Sequence, residues 1–195
     1  MTLSDSTAGA EAQHRLRRAL AAFRSIAAFM ARGDGSPGSL RLAGRIGAIG
    51  RVALASAVDG INLEALVLDE LLAWATPPKR YRVEGCEIRL SAKAAQIVGL
   101  LLHELAANSL QFGALAQPAA SLQIHWRCTE QDLVLEWLEG GVRLADRQGA
   151  PGFGSELVQR CVARELKGRG EMLLLADGMR CTISVPLIEA LQSNE

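Results

Sequence analysis

An apolar, proline-free run from Ser91 to about Phe112 constrains this chain more than any other stretch, because it reads as one long helix with Ser91 as its N-cap. Three polar residues, His103, Glu104 and Asn108, interrupt the run Leu101-Leu102-His103-Glu104-Leu105-Ala106-Ala107-Asn108. Four residues make about one helical turn, so Glu104 and Asn108 project side by side from one face. A carboxylate and a carboxamide so placed can hold a hydrated divalent cation against a polyphosphate. Such oxygen donors suit Mg²⁺, which keeps several waters and shares the rest of its shell with phosphates. Taken alone this is a weak signal, and two solvated polar residues on an amphipathic helix explain the pair better.

The order of the following segments adds to that reading. Residues 121–128 (SLQIHWRC) and 132–139 (DLVLEWLE) alternate with a period of two and form a hairpin. His125 and Trp126 fall on this hairpin as sheet surface and sheet core, with no chemical role. The second strand ends in Glu139-Gly140-Gly141, and a loop from Arg143 to Pro151 follows. Gly152-Phe153-Gly154-Ser155 then opens a helix to about Leu166, and a second hairpin over 171–186 turns at Asp177-Gly178. Glycines at a helix start let backbone N–H groups approach phosphate oxygens, where the helix dipole favours an anion. A Glu-x-x-x-Asn helix, a strand ending in Glu-Gly-Gly, a loop and a GxG helix are laid out as in a Bergerat-type ATP pocket.

On these residues the chain resembles the HWE family of sensor histidine kinases, named for a His in one box and a Trp-x-Glu in the next. Here these are His103, Trp137 and Glu139. The family's LHELATNAxKYGAL stands as LLHELAANSLQFGAL, and its WRExGGP as WLEGGV. Its GFGxxLI…ARELGG stands as Gly152 to Val158 followed by Ala163 to Gly168, and its DGLRCxIxLPL as Asp177 to Leu187. The resemblance runs from about Glu11 to Leu187.

The N-terminal part reads as a helical hairpin. Between Glu11 and Arg32, Leu16, Leu20, Phe23, Ala27 and Met30 fall at spacings of four, three, four and three, the seam of a bundle helix. Gly33 to Gly38 is a turn of strong breakers, and a second helix follows from about Ser39 to Ser56. A two-helix hairpin buries its seam by pairing with a second copy into a four-helix bundle, so a homodimer is expected. His14 lies about 200° from Leu16 on the helix and faces away from the seam. Among Arg15, Arg17 and Arg18 it is an ordinary surface histidine by itself. The resemblance makes it the phosphoacceptor of the family's HRVKN, with Arg18 in place of the Asn.

The expected architecture is therefore α+β. Residues 1–10 form a disordered lead-in, 11–58 the dimerising phosphoacceptor hairpin, and 59–195 a Bergerat (GHKL) α/β sandwich with a mixed sheet. No sensor domain is expected before the hairpin, so the signal would come from a partner or a missing domain. The resemblance implies a protein histidine kinase using ATP and Mg²⁺. His14 and Glu104 would be catalytic, Asn108 the metal ligand, and Asn108, Glu139, Gly141, Gly152, Gly154 and Ser155 the nucleotide contacts. Glu139 would accept from the adenine amino group, and His103 would brace the box near Trp137 and Glu139. The phosphoryl group would pass to an Asp of a response-regulator receiver domain. Arg18, Gln111 (the family's Lys) and Glu156 support an alternative, a phosphotransfer protein with a degenerate nucleotide site that relays phosphate without ATP.

Composition fits that class. Lys plus Arg and Asp plus Glu each number 21, which gives no nucleic-acid or membrane-surface footprint. Cys86, Cys128, Cys161 and Cys181 show no CxxC or Cys/His spacing and read as reduced thiols. The most apolar stretch, 97–102, falls well short of the roughly 20 residues of a membrane span. Without a signal-peptide core, a cytoplasmic location is expected.

Overall fold

The computed structural model describes residues 60–74, 81–143 and 153–191. The hairpin over 11–58, with His14 and Arg18, lies outside the described residues, as does Gly152. The described residues belong to the unit Ser56–Glu195.

Element order is β1 (Ile61–Asn62), α1 (Leu63–Ala73), β2 (Tyr81–Gly85), β3 (Arg89–Leu90), α2 (Ala92–Phe112), a 3₁₀ turn (Ala114–Ala116), β4 (Ser121–Cys128), β5 (Asp132–Gly140), α3 (Phe153–Glu165), β6 (Arg169–Leu175), β7 (Gly178–Pro186) and α4 (Leu187–Ala190). The main sheet has the order β2-β4-β5-β7-β6. β2 runs parallel to β4, whereas the β4–β5, β5–β7 and β6–β7 pairs are antiparallel. β1 and β3 form a separate antiparallel pair.

Strand alternation builds one buried face. Leu122, Ile124 and Trp126 of β4, Leu133, Leu135 and Trp137 of β5, and Cys181, Ile183 and Val185 of β7 all point inward. Burial pushes the Cys181 thiol up to about 12, in keeping with an inert core group. On the opposite face His125 sits directly across from Glu136 and bonds to it at 2.8 Å, as a sheet-surface residue.

The helices cover the inward face. α2 begins where Ser91 Oγ accepts from the Ala94 amide at 3.2 Å, the expected cap. Through its middle it is buried on nearly every side, from Leu101 to Ala106, because α1 and α3 pack against it. α3 presents Val158 and Val162, one turn apart, to the core, with Leu166 continuing the line. α1, which the sequence reading left unassigned, starts from an Asn62 cap whose Oδ1 accepts from the Ala65 amide at 2.9 Å. Its buried side is Leu63, Leu66, Val67, Glu70 and Leu71, an apolar stripe at helical spacing with one carboxylate set into it. The result is the mixed-sheet α/β sandwich expected from the motifs.

Candidate nucleotide site

α2 supplies the first wall. Glu104 is 6% exposed and Asn108, one turn later, is half-buried toward the C-terminal end of the helix. Gln111 is exposed in the last turn. The chain leaves α2 through Gly113 and folds into the 3₁₀ turn, where the Leu115 amide donates to Ser109 Oγ at 3.1 Å. Gly113 is required for contact: a Cβ there would overlap the Glu139 carboxylate.

The end of β5 forms the second wall. Glu139 is 0% exposed. Its Oε2 accepts from the Ala114 amide at 3.0 Å, and its Oε1 accepts from the Trp137 indole N–H at 3.0 Å. The carboxylate thus clamps the turn after α2 to the sheet. Two N–H donors are what an ionised carboxylate needs when it is withdrawn from water.

Gly141 follows at φ 71°, in the left-handed region that glycine adopts without a Cβ penalty. The turn it makes is fastened on two sides. Its own amide lies 3.5 Å from Asp177 Oδ2, and the Val142 amide donates to the Asp177 carbonyl at 2.8 Å. Across the site, the Arg143 amide donates to Gln117 Oε1 at 2.9 Å and Gln117 Nε2 donates to the Arg143 carbonyl at 3.4 Å. Asp177, read in the sequence only as the hairpin turn, and Gln117, which the motifs did not single out, are positioning residues. Gly154 and Ser155 stand in the first turn of α3, where a helix presents backbone N–H groups.

His103 departs from expectation. It does not meet Trp137 and Glu139, which bond to each other. Its Nδ1 lies 2.6 Å from Glu70 Oε1, and its ring stacks on Trp74 with centroids 5.1 Å apart at 27°. The Trp74 indole donates to the same Glu70 oxygen at 3.0 Å. The cause is rotation around α2: His103 lies about 140° from Asn108, which turns it toward α1. Glu70 and His103 are each 3% exposed. A carboxylate oxygen accepts, so Nδ1 donates to Glu70, while Nε2 is buried without a hydrogen-bond partner among the described residues. Sequence reasoning missed Glu70 and Trp74, although a carboxylate inside the apolar stripe of α1 signals a buried partner.

Among the described residues no three His, Cys, Asp or Glu side chains cluster as a metal cage. Mg²⁺ needs none, since a single protein oxygen such as that of Asn108 is completed by phosphates and water.

No family model matches the chain. It is 30% identical over 189 residues to the blue-light-activated histidine kinase 1 of Erythrobacter litoralis (strain HTCC2594), covering 91% of this chain and 52% of that protein. It is 29% identical over 181 residues to the blue-light-activated histidine kinase of Rhizobium johnstonii, covering 90% of this chain and 52% of that protein. The chain therefore spans about half the length of these curated relatives. In fold it matches the histidine kinase domain of the Erythrobacter litoralis EL346 blue-light activated histidine kinase, with a TM-score of 0.59 at 17% identity over 92% of this chain and 91% of that one. The box residues on α2 and β5, the mixed-sheet sandwich and the similarity to these relatives together support a histidine kinase catalytic core of the HWE type.

Proposed function

We propose that the chain phosphorylates its own His14 with Mg-ATP and passes the phosphoryl group to an aspartate of a response-regulator receiver domain. The observation that supports this reading is that Glu104 and Asn108 on α2, the glycine turn after β5 and the start of α3 belong to one unit in which α2 and α3 pack together. Asn108 would hold Mg²⁺, which supplies charge neutralisation at the phosphates when bound. Gly141, Gly152, Gly154 and Ser155 would offer backbone N–H groups to phosphate oxygens. Glu139 would accept from the adenine amino group through lone pairs left after its two wall bonds. Since it is wholly buried, the base reaches it only when the turn after α2 or the glycine turn yields.

In the reaction an imidazole nitrogen of His14 attacks the γ-phosphorus. The N–P bond forms as the bond to the β-phosphate oxygen breaks, ADP leaves, and Glu104 takes the imidazole proton, directly or through water. Phosphoryl transfer asks mainly for positioning and charge neutralisation. The hairpin would pair with a second copy, and the receiver would dock on the His14 face.

Incubation with γ-labelled ATP and Mg²⁺ tests this. Acid-labile, base-stable label is expected on the wild type and none on His14→Gln, with ATP binding retained. Label that persists in His14→Gln would assign another nucleophile. Asn108→Ala should weaken Mg²⁺-dependent ATP binding about tenfold or more while leaving the midpoint without ligand nearly unchanged, because the residue is only half-buried. ATP at 100 times its Kd should stabilise the wild type by about 2.7 kcal/mol. An unchanged midpoint at millimolar ATP would overturn the kinase reading in favour of phosphotransfer without ATP.

A further inference from the structure

Two cysteines that the nucleotide site does not use come together at the opposite end of the sheet. Gly85, the last residue of β2, is in register with Trp126 of β4, so Cys86 leaves β2 beside the end of β4, where Cys128 stands two residues past Trp126. With strands about 4.8 Å apart and about 3.3 Å per residue, this offset of one residue puts the two Cα positions about 6 Å apart. That separation lies within the Cα spacing a disulfide requires. Cys86 is fixed there, because the Trp126 indole donates to its carbonyl at 2.7 Å. After burial, Cys86 is the neighbour that raises the Cys128 thiol, in keeping with two adjacent thiols. Cys128 is exposed and Cys86 half-buried, so small reagents reach the pair.

We propose that Cys86 and Cys128 form a redox-active dithiol that closes into a disulfide through exchange with a low-molecular-weight disulfide. One cysteine, as thiolate, attacks a sulfur of the small disulfide RSSR, forming a mixed disulfide and releasing one RS⁻. The second thiol gives its proton to solvent and attacks the protein-bound sulfur, so the Cys86–Cys128 bond forms and the second RS⁻ leaves. Two protein thiols are oxidised by two electrons while RSSR is reduced to two thiols. Partial burial and the Cys86 neighbour push the Cys128 thiol up to about 11, which makes the first step slow. The second is fast, since the attacking sulfur is already in place, and the mixed disulfide does not accumulate.

The bond would staple the edge strand β2 to β4 and close a loop containing all of α2. β4 begins at Ser121, opposite Gly140, and ends at Cys128, opposite Leu133. The pair therefore sits about 24 Å along the strand from the glycine turn of the nucleotide site. Oxidation should stabilise the fold without altering nucleotide affinity.

The test is incubation of the full chain with glutathione disulfide, followed by intact mass, peptide mapping and thermal unfolding. The expected product has lost two hydrogens, carries a Cys86–Cys128 linkage, and unfolds about 5 °C or more above the reduced protein. Cys86→Ser should stop at a stable glutathione adduct on Cys128 with no such rise. A stable adduct on the wild type without loss of the two hydrogens would overturn the proposal. So would a linkage mapping to Cys161 or Cys181.

Discussion

Replacing Glu139 by alanine is expected to destabilise the unit that holds the nucleotide site by about 4 kcal/mol, the largest loss among single changes in the site. The substitution orphans two buried N–H groups, those of Ala114 and the Trp137 indole, and each unsatisfied donor costs about 1–3 kcal/mol. A cavity adds to this, because the side chain is wholly buried. Glu139→Gln should lose about half as much. Its carbonyl keeps one acceptor, while its NH₂ is set against the other donor. Urea denaturation of the two variants checks the order, and equal stability of Glu139→Ala and wild type would remove the clamp from the account. Nucleotide binding should fall in both, since the turn after α2 loses its tie to β5.

The second large effect is expected at Glu70. Glu70→Ala should cost about 3 kcal/mol, because it leaves His103 Nδ1 and the Trp74 indole without their common acceptor inside the helical layer. Glu70→Gln should cost under about 1 kcal/mol, since an amide oxygen in the same place still accepts from both. The pair of variants separates hydrogen bonding from packing by chemical denaturation. If the alanine and glutamine proteins unfold at the same urea concentration, the cluster contributes only volume. The reaction should feel the loss as well: His103 precedes Glu104, so slack between α1 and α2 misplaces the residue assigned to the proton.

Much of this was legible in the chain because it is local. The Ser91 cap, the length of α2, both hairpins and the α3 start follow from periodicity and breakers acting over a few residues. Even the inward turn of Glu139 is implicit in its alternation with Leu133, Leu135 and Trp137, all buried. What stayed hidden is long-range. The Glu70–His103 contact joins residues 33 positions apart, and no local pattern states which helix a buried histidine will face. The parallel β2–β4 pairing depends on a crossover through α2, so the meeting of Cys86 and Cys128 appears only in register. α1 escaped notice because its near-continuous apolar composition masks the stripe in which Glu70 stands.

The strand order has a further consequence. β5 is the central strand of five, flanked by β4 and β7, and it carries both Trp137 and Glu139. Amides in the middle of a sheet exchange with solvent only through the largest openings of a protein, whereas edge strands such as β2 and β6 exchange through small, frequent ones. The carboxylate that clamps the nucleotide wall is thus anchored in the slowest-opening layer of the unit, and the glycine turn just beyond it in a faster one. On the proposed function, nucleotide entry would then proceed by fluctuation of the turn alone, while the floor beneath would keep its shape from one turnover to the next.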